Sequence, residues 1–233
     1  TWFNFLASHD GIGLNPLRGI LPESEILSLV EKLQQEGALV NWKNNPDGTR
    51  SPYEINVTYL DALSLRDSSD DERIARFILA HAVLLSFPGV PAVYIQSILG
   101  SRNDYEGVER LGYNRAINRK KYTAGQVDLE LNNKKSIRYQ IYSRLSELIA
   151  IRRGESAFHP DSQAIFDAIG EHILKIVRVA ENGERMTALF NFSNKMQTIY
   201  GQTLFGRELL SGHDISGTEL NLNPWQVMWI KEN

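Results

Sequence analysis

Cysteine is absent from all 233 residues, which excludes a disulfide framework, a thiolate metal site and a cysteine nucleophile. A basic excess is missing too. Lys and Arg number 25 against 28 Asp and Glu, for a net charge of −3 at pH 7. Nothing here would neutralise a phosphate backbone, so nucleic acid is not an expected partner. Long hydrophobic runs are lacking. The most apolar stretch, Phe77 to Phe87, is far shorter than the ~20 residues of a bilayer-spanning helix and contains His81. No membrane partner is expected. Position 1 is Thr rather than Met, and the residues ahead of Ser8-His9-Asp10-Gly11 do not read as a secretory segment. The chain reads as a cut piece of a longer one, because an independent domain rarely opens on an apolar strand. The lack of cysteine fits a reducing compartment, and the expected location is cytoplasmic.

What is present is an ordinary folding mixture, 42% apolar and 23% charged, which excludes disorder and collagen-like repeats. Thr1–Leu6 reads as a buried strand, followed by turns at Asp10–Gly13 and Arg18-Gly19. Ile26, Leu29, Val30 and Leu33 recur at helical spacing behind Pro22 and Glu23, with Gly37 as the stop. Residues 41–58 read as a long excursion around Asn44-Asn45-Pro46-Asp47-Gly48. The spacing predicts a helix over 70–86, a buried strand over 90–95 and a helix over 136–152. Beyond Gly154 the pattern alternates, with Glu181-Asn182-Gly183 as a hairpin turn. Strand–helix–strand grammar upstream and alternation downstream make the chain α/β plus β.

Several apparent sites fail on chemistry. Gly11-Ile12-Gly13 lacks the third glycine of a dinucleotide turn, since Pro16 stands there. Ser8-His9-Asp10 has the letters of a triad, but neighbours along an extended segment point to opposite faces. The five histidines show no metal-ligand spacing, so no metal is expected, and His81 reads as a satisfied core residue. Asn56-Val57-Thr58 and Asn191-Phe192-Ser193 match a glycosylation sequon, a pattern common by chance. Two features remain open. His9-Asp10 at a strand end could be catalytic, as in barrel enzymes, or could simply cap a turn. Arg115 and Arg119 frame Ala116-Ile117-Asn118, and a guanidinium there could grip a carboxylate or phosphate.

Four blocks in order resemble the sucrose phosphorylase-type branch of glycoside hydrolase family thirteen. They are Phe5-Leu6-Ala7-Ser8-His9-Asp10-Gly11-Ile12-Gly13, Tyr53-Glu54-Ile55-Asn56-Val57-Thr58-Tyr59, Phe87-Pro88-Gly89-Val90-Pro91-Ala92-Val93-Tyr94 and Arg115-Ala116-Ile117-Asn118-Arg119. The resemblance implies the carboxyl-terminal part of a (β/α)8 (TIM) barrel followed by a small antiparallel β domain. Residues 1–10 would be barrel strand seven, and 11–65 an inserted subdomain over the active site. Residues 66–153 would be the last helix–strand–helix units, and 154–233 the carboxyl-terminal β domain.

The implied chemistry is retaining double displacement between two carboxylates. The nucleophile and the acid/base would lie outside this chain, leaving it inactive alone and seeking the missing amino-terminal barrel half. Asp10 would be the transition-state stabiliser, and His9 would contact a glucosyl hydroxyl. Tyr53, Glu54 and Arg115 would bind substrate. No cofactor is implied; the co-substrate is inorganic phosphate and the product α-glucose 1-phosphate. Sucrose phosphorylases usually carry Tyr-Gln where Tyr53-Glu54 stands, and Asp where Ala116 stands. The loops at 100–104 and 115–121 look closer to the members that cleave glucosylglycerate. Without an acid at position 116, Arg115 is expected to be freer for an acidic acceptor, and Glu54 works against this if it points inward. Sucrose or sucrose 6'-phosphate is the runner-up substrate, and a hydrolase of the same family or a catalytically inactive fragment is the alternative of another class.

Overall fold

A computed structural model describes residues 1–201 and 204–233 in full and the backbone of 202 and 203. In chain order the elements begin with β1 (Phe3–Phe5), β2 (Ile12–Gly13), α1 (Glu23–Gln35), β3 (Leu39–Asn44) and β4 (Arg50–Asn56). Next come α2 (Tyr59–Ala62), α3 (Asp70–Ser86), β5 (Val90–Ala92), α4 (Ile95–Ile98), α5 (Tyr105–Leu111), α6 (Ala124–Leu131) and α7 (Ile137–Gly154). The chain closes with β6 (Gln163–Ile169), β7 (Ile173–Val179), β8 (Arg185–Asn191), β9 (Gln197–Glu208), β10 (Asp214–Leu222) and β11 (Val227–Glu232). These elements divide into two compact units. One holds Leu6–Ile74 and Val93–Tyr142; the other holds Thr1–Phe5, Ala75–Ala92 and Ser143–Asn233.

The first unit is built on a three-stranded antiparallel sheet, in the order β2-β4-β3. Helix α1 buries Ile26, Val30 and Leu33 against Leu14, Ala38, Ile55 and Val57, the face its helical spacing dictates. It ends in a Schellman motif, in which Ala38 N–H donates to Leu33 O at 2.8 Å and Gly37 N–H to Gln34 O at 3.0 Å. Gly37 takes φ +105° there, a conformation that favours glycine. The expected excursion over 41–58 is instead the β3–β4 hairpin. Asn45 N–H donates to Thr49 O at 2.8 Å, and Asp47 Oδ1 accepts from Thr49 N–H at 2.9 Å. The polar cluster is therefore a hairpin closure, because its side chains satisfy the turn backbone locally.

In the second unit β1 and β5 pair in parallel, Phe3 opposite Val90 and Phe5 opposite Ala92. Neither is the buried strand expected from its apolar letters. Phe3 and Phe5 are 67% and 54% exposed. β5 also stops at Ala92, and α4 starts at Ile95. Apolar runs suit strands covered on both faces, whereas among the described residues β1 pairs with β5 alone.

Residues 163–232 form one six-stranded antiparallel sheet, ordered β10-β9-β11-β8-β7-β6. Its core gathers Ile173, Leu189, Ile199, Leu204, Leu222, Met228 and Ile230. Gly183, with φ +85°, turns β7 into β8. Trp229 is fully buried, stacks near Phe158 at 4.7 Å and donates through Nε1 to Ser86 Oγ at 3.0 Å.

Two buried arginines finish α3, which has no basic residue in its own last turn. Arg152 donates to Leu85 O and, through Nη2, to Gly89 O at 2.9 Å. Arg178 donates to Ser86 O at 2.9 Å, to His159 O at 2.7 Å, to Ser162 O at 3.2 Å and to Gln163 O at 3.3 Å. Cations at a helix carboxyl end meet both the unpaired carbonyls and the dipole. Burial, and then the neighbouring Arg152, push the Arg178 guanidinium down to about 10. His81 is likewise a core residue, its Nδ1 lying 2.8 Å from Phe77 O. Burial pushes its imidazole down to about 4, with the Phe77 contact opposing.

Arg178→Met removes one guanidinium from four carbonyls and is expected to cost about 3–5 kcal/mol. Urea unfolding measures this, and a cost under 1 kcal/mol would show that the carbonyls find other partners. The His81 shift sets a pH dependence. The unfolded chain takes up a proton near pH 6.5 that the fold refuses until about pH 4. The His81 contribution is therefore complete above pH 6.5 and falls away as pH drops toward 4, by on the order of 3 kcal/mol. Unfolding at pH 7 and pH 4.5 should show a smaller acid loss in His81→Gln; an equal loss contradicts the assignment.

Candidate active site

The site is assembled in the first unit from three places in the chain. Asp10 follows β1 in sequence, Glu54 lies on β4, and Arg115 lies within, and Arg119 directly after, a short 3-10 turn over Asn114–Asn118. That turn buries Ala116, Ile117 and Asn118, so the expected post-strand loop is a fixed turn. Asn118 anchors it, donating through Nδ2 to Ser8 O at 2.7 Å and to Asp10 O at 3.4 Å. Arg119 Nε donates to His9 O at 2.8 Å.

Glu54 is the centre of the cluster. It is only 4% exposed, and a buried carboxylate requires compensation. Arg115 supplies it through two nitrogens, Nη2 to Oε1 at 3.0 Å and Nε to Oε2 at 3.1 Å. Asn41 Nδ2 adds a bond to Oε2 at 2.8 Å, and Gly11 N–H one to Oε1 at 3.3 Å. Asn114 Nδ2 in turn donates to Asn41 Oδ1 at 2.8 Å. The Glu54 hydrogen bond and charge hold the Arg115 guanidinium above its ordinary value.

Arg115 is therefore not freed by Ala116. All three of its nitrogens meet carboxylate oxygens, the third being Nη1 with Asp10 Oδ1 at 2.9 Å. The partner in space comes from β4: Glu54 points inward, the case expected to work against an acidic acceptor. Asp10 Oδ1 also accepts from Arg119 Nη2 at 3.2 Å. Among the described residues, Asp10 Oδ2 has no partner. It remains able to accept a ligand hydroxyl beside fixed charge.

His9 and Tyr53 stand differently. The His9 side chain is 67% exposed, with Nε2 3.7 Å from Asp10 Oδ1. Tyr53 is half-buried, its carbonyl accepts from Leu14 N–H at 2.9 Å, and its side chain makes no hydrogen bond among the described residues. The structure thus brings Asp10, Glu54 and Arg115 into one cluster, places His9 at its rim, and leaves Tyr53 outside its hydrogen bonds. Asn41, Asn114 and Asn118 were missed, and Arg119 was noted only as a flank. Asparagines in turns and strands carry no chemical signature in sequence; here the buried acid makes them necessary.

Among the described residues, no helix is long and apolar enough to cross a membrane, and no group of three or more His, Asp or Glu could hold a metal ion. A parallel strand pair and a separate antiparallel sheet fit the carboxyl-terminal part of a (β/α)8 barrel followed by an antiparallel β domain. No protein-family model matches the chain. Its fold resembles the crystal structure of a sucrose 6F-phosphate phosphorylase from Thermoanaerobacter thermosaccharolyticum, with TM-score 0.70 and 22% identity over 93% of this chain and 40% of that one.

Sequence comparison is more specific. The chain is 67% identical to a glucosylglycerate phosphorylase of Escherichia coli over 99% of its own length and 41% of that protein. It is 39% identical to a glucosylglycerate phosphorylase of Allomeiothermus silvanus over 99% of this chain and 40% of that protein. Over nearly its whole length the chain is thus similar to the carboxyl-terminal part of the sucrose phosphorylase-type branch of glycoside hydrolase family thirteen. It spans about two fifths of the curated relatives it matches.

Gly11 makes the cluster possible. A Cβ at that position would lie 2.5 Å from Ile55 O and 2.7 Å from Glu54 Cγ, and the first of these is backbone that cannot step aside. Gly11→Ala is expected to cost about 1–3 kcal/mol through this overlap. If the clash acts through Glu54, its cost and that of Arg115→Met will be less than additive in urea unfolding. Full additivity would separate Gly11 from the ion pair.

Proposed function

We propose that the protein carrying this chain is a retaining α-glucoside phosphorylase, moving the glucosyl unit of glucosylglycerate to phosphate and giving α-glucose 1-phosphate and glycerate. The observation that carries the reading is the 67% identity to a glucosylglycerate phosphorylase over 99% of the chain. The site chemistry supports it. In the first half-reaction a carboxylate displaces glycerate from the anomeric carbon, while an acid protonates the leaving oxygen. In the second, phosphate displaces the enzyme carboxylate. Both groups belong to the missing amino-terminal barrel half, the partner that completes the site.

Asp10 acts as the transition-state stabiliser. Its Oδ2 accepts glucosyl hydroxyls, and its charge, fixed by two guanidinium groups, favours the cationic sugar. His9 contacts the same glucosyl unit from the rim. Tyr53 and Arg115 face the acceptor, and Glu54 contributes to binding through the arginine it holds. No cofactor is needed beyond phosphate as co-substrate. Residues 1–10 serve as barrel strand seven, 11–65 as the subdomain over the site, 66–153 as the last barrel units and 154–233 as the β domain. The reading places the enzyme in the cytoplasm, where an absence of cysteine has no cost.

The complete protein should release α-glucose 1-phosphate from glucosylglycerate only when phosphate is supplied, and the isolated 233 residues should not. Release of glucose without phosphate dependence would make it a hydrolase, and faster turnover of sucrose would make the runner-up the substrate. Asp10→Asn should lower kcat by roughly a hundredfold or more with a smaller change in KM, since about 2.7–4 kcal/mol is typical for one preorganised contact. An unchanged kcat would return Asp10 to capping the turn at Gly11.

A further inference from the structure

Resting on the phosphorylase reading above, we propose that Asp61 is a positioning residue for the reaction: it holds the loop over 101–104, and that loop fixes the turn that carries Arg115. Asp61 stands third in α2, behind Thr58 at the cap. An acid at that place ordinarily turns back to the N–H of the cap residue itself. Here the exchange runs through a distant segment instead. Thr58 N–H donates to Asn103 Oδ1 at 2.8 Å, and Asn103 N–H donates to Asp61 Oδ2 at 2.8 Å. The other oxygen of Asp61, Oδ1, pairs with Arg102 Nε.

Arg73 of α3 faces the same carboxylate, but its Nη1 lies 3.6 Å from Oδ1, and its Nη2 donates to Ser68 O at 3.2 Å. The short contacts of Asp61 therefore go to the loop. Its side chain is 11% exposed, and hydrogen bonds to a charge removed from water are the strong ones. From the loop two routes reach the turn over Asn114–Asn118. Asp104 N–H donates to Ile117 O at 3.0 Å. Ser101 Oγ donates to Gln96 Oε1 at 2.6 Å, and Gln96 Nε2 to Lys120 O at 2.8 Å. Ser101, Asp104 and Ile117 are all buried. One loop is thus tied to Thr58, just past the strand that bears Glu54, and to the turn that bears Arg115. It keeps the two members of that ion pair at a fixed separation, while Asp61 itself touches none of the groups placed at the site.

The test uses the complete protein with α-glucose 1-phosphate as donor, reading transfer to glycerate and release of glucose to water in one sample. The ratio of the two does not depend on how much of a variant is folded, so lost stability alone leaves it unchanged. Asp61→Ala should lower the ratio about tenfold or more, within the range that a misplacement of ~1 Å costs. Asp61→Asn, which keeps an acceptor for Asn103 N–H, should recover part of it. Hydrogen exchange in Asp61→Ala should quicken at 101–104 and at 113–119, and not in α1. Arg102→Ala removes a half-exposed partner of the same carboxylate and should move both readouts the same way by less. If Asp61→Ala does not fold, an unchanged Arg102→Ala overturns the assignment. An unchanged ratio in folded Asp61→Ala overturns it too, as does exchange that quickens at 101–104 alone. Should the wild type release no α-glucose 1-phosphate from glucosylglycerate and phosphate, the phosphorylase reading fails by itself, and exchange at 113–119 still decides whether Asp61 holds the turn.

Discussion

The site depends on one buried negative charge. Glu54 is 4% exposed on β4, and a carboxylate in that setting is tolerable only when hydrogen bonds and a cation meet it. Arg115, Asn41 and the Gly11 N–H supply those contacts. In meeting them they tie together the turn after Asp10, the β3–β4 hairpin and the 3-10 turn at Asn114–Asn118. A neutral glutamine at position 54 would not need a guanidinium so closely bound. The acid therefore limits what else Arg115 can bind.

The same rule shapes the second unit in opposite sign. Among the described residues Arg178 and Arg152 are buried cations without a carboxylate, and both are satisfied by carbonyls at and just beyond the end of α3. Arg178 also gathers His159, Ser162 and Gln163, so the approach to β6 is fastened to the helix by one side chain. Trp229 reaches Ser86 from β11. The antiparallel sheet is thereby joined to α3 by directional bonds as well as by apolar contact, which sets register where hydrophobic burial alone would allow sliding.

Charge bookkeeping in the cluster bears on catalysis. Two guanidinium groups and two carboxylates are assembled, and both cations share a single oxygen of Asp10. The other oxygen is left for a ligand. Under the proposed reading, an acid held this way would keep its direction without reorganising as the sugar becomes cationic, the condition under which electrostatic stabilisation is most effective. His9, largely exposed and 3.7 Å from Asp10, is not fixed by that network.

Local patterns in the sequence were enough for the helix over 70–86 and the alternation of the carboxyl-terminal strands, because these depend on spacing along the chain. The turn cluster at residues 44–48 was legible as polar punctuation, but not as the closure of a hairpin, since that requires knowing that 39–44 and 50–56 pair. The exposure of Phe3 and Phe5 was hidden for a related reason: apolar letters report that a strand is to be covered, not by which chain. The family resemblance placed Asp10, Glu54 and Arg115 among the expected site residues, with Arg115 freer beside Ala116 unless Glu54 points inward. Tertiary structure alone decided that Glu54, 61 positions away, holds that arginine, because ion pairing depends on distance in space and on burial, and neither is written in the spacing of residues.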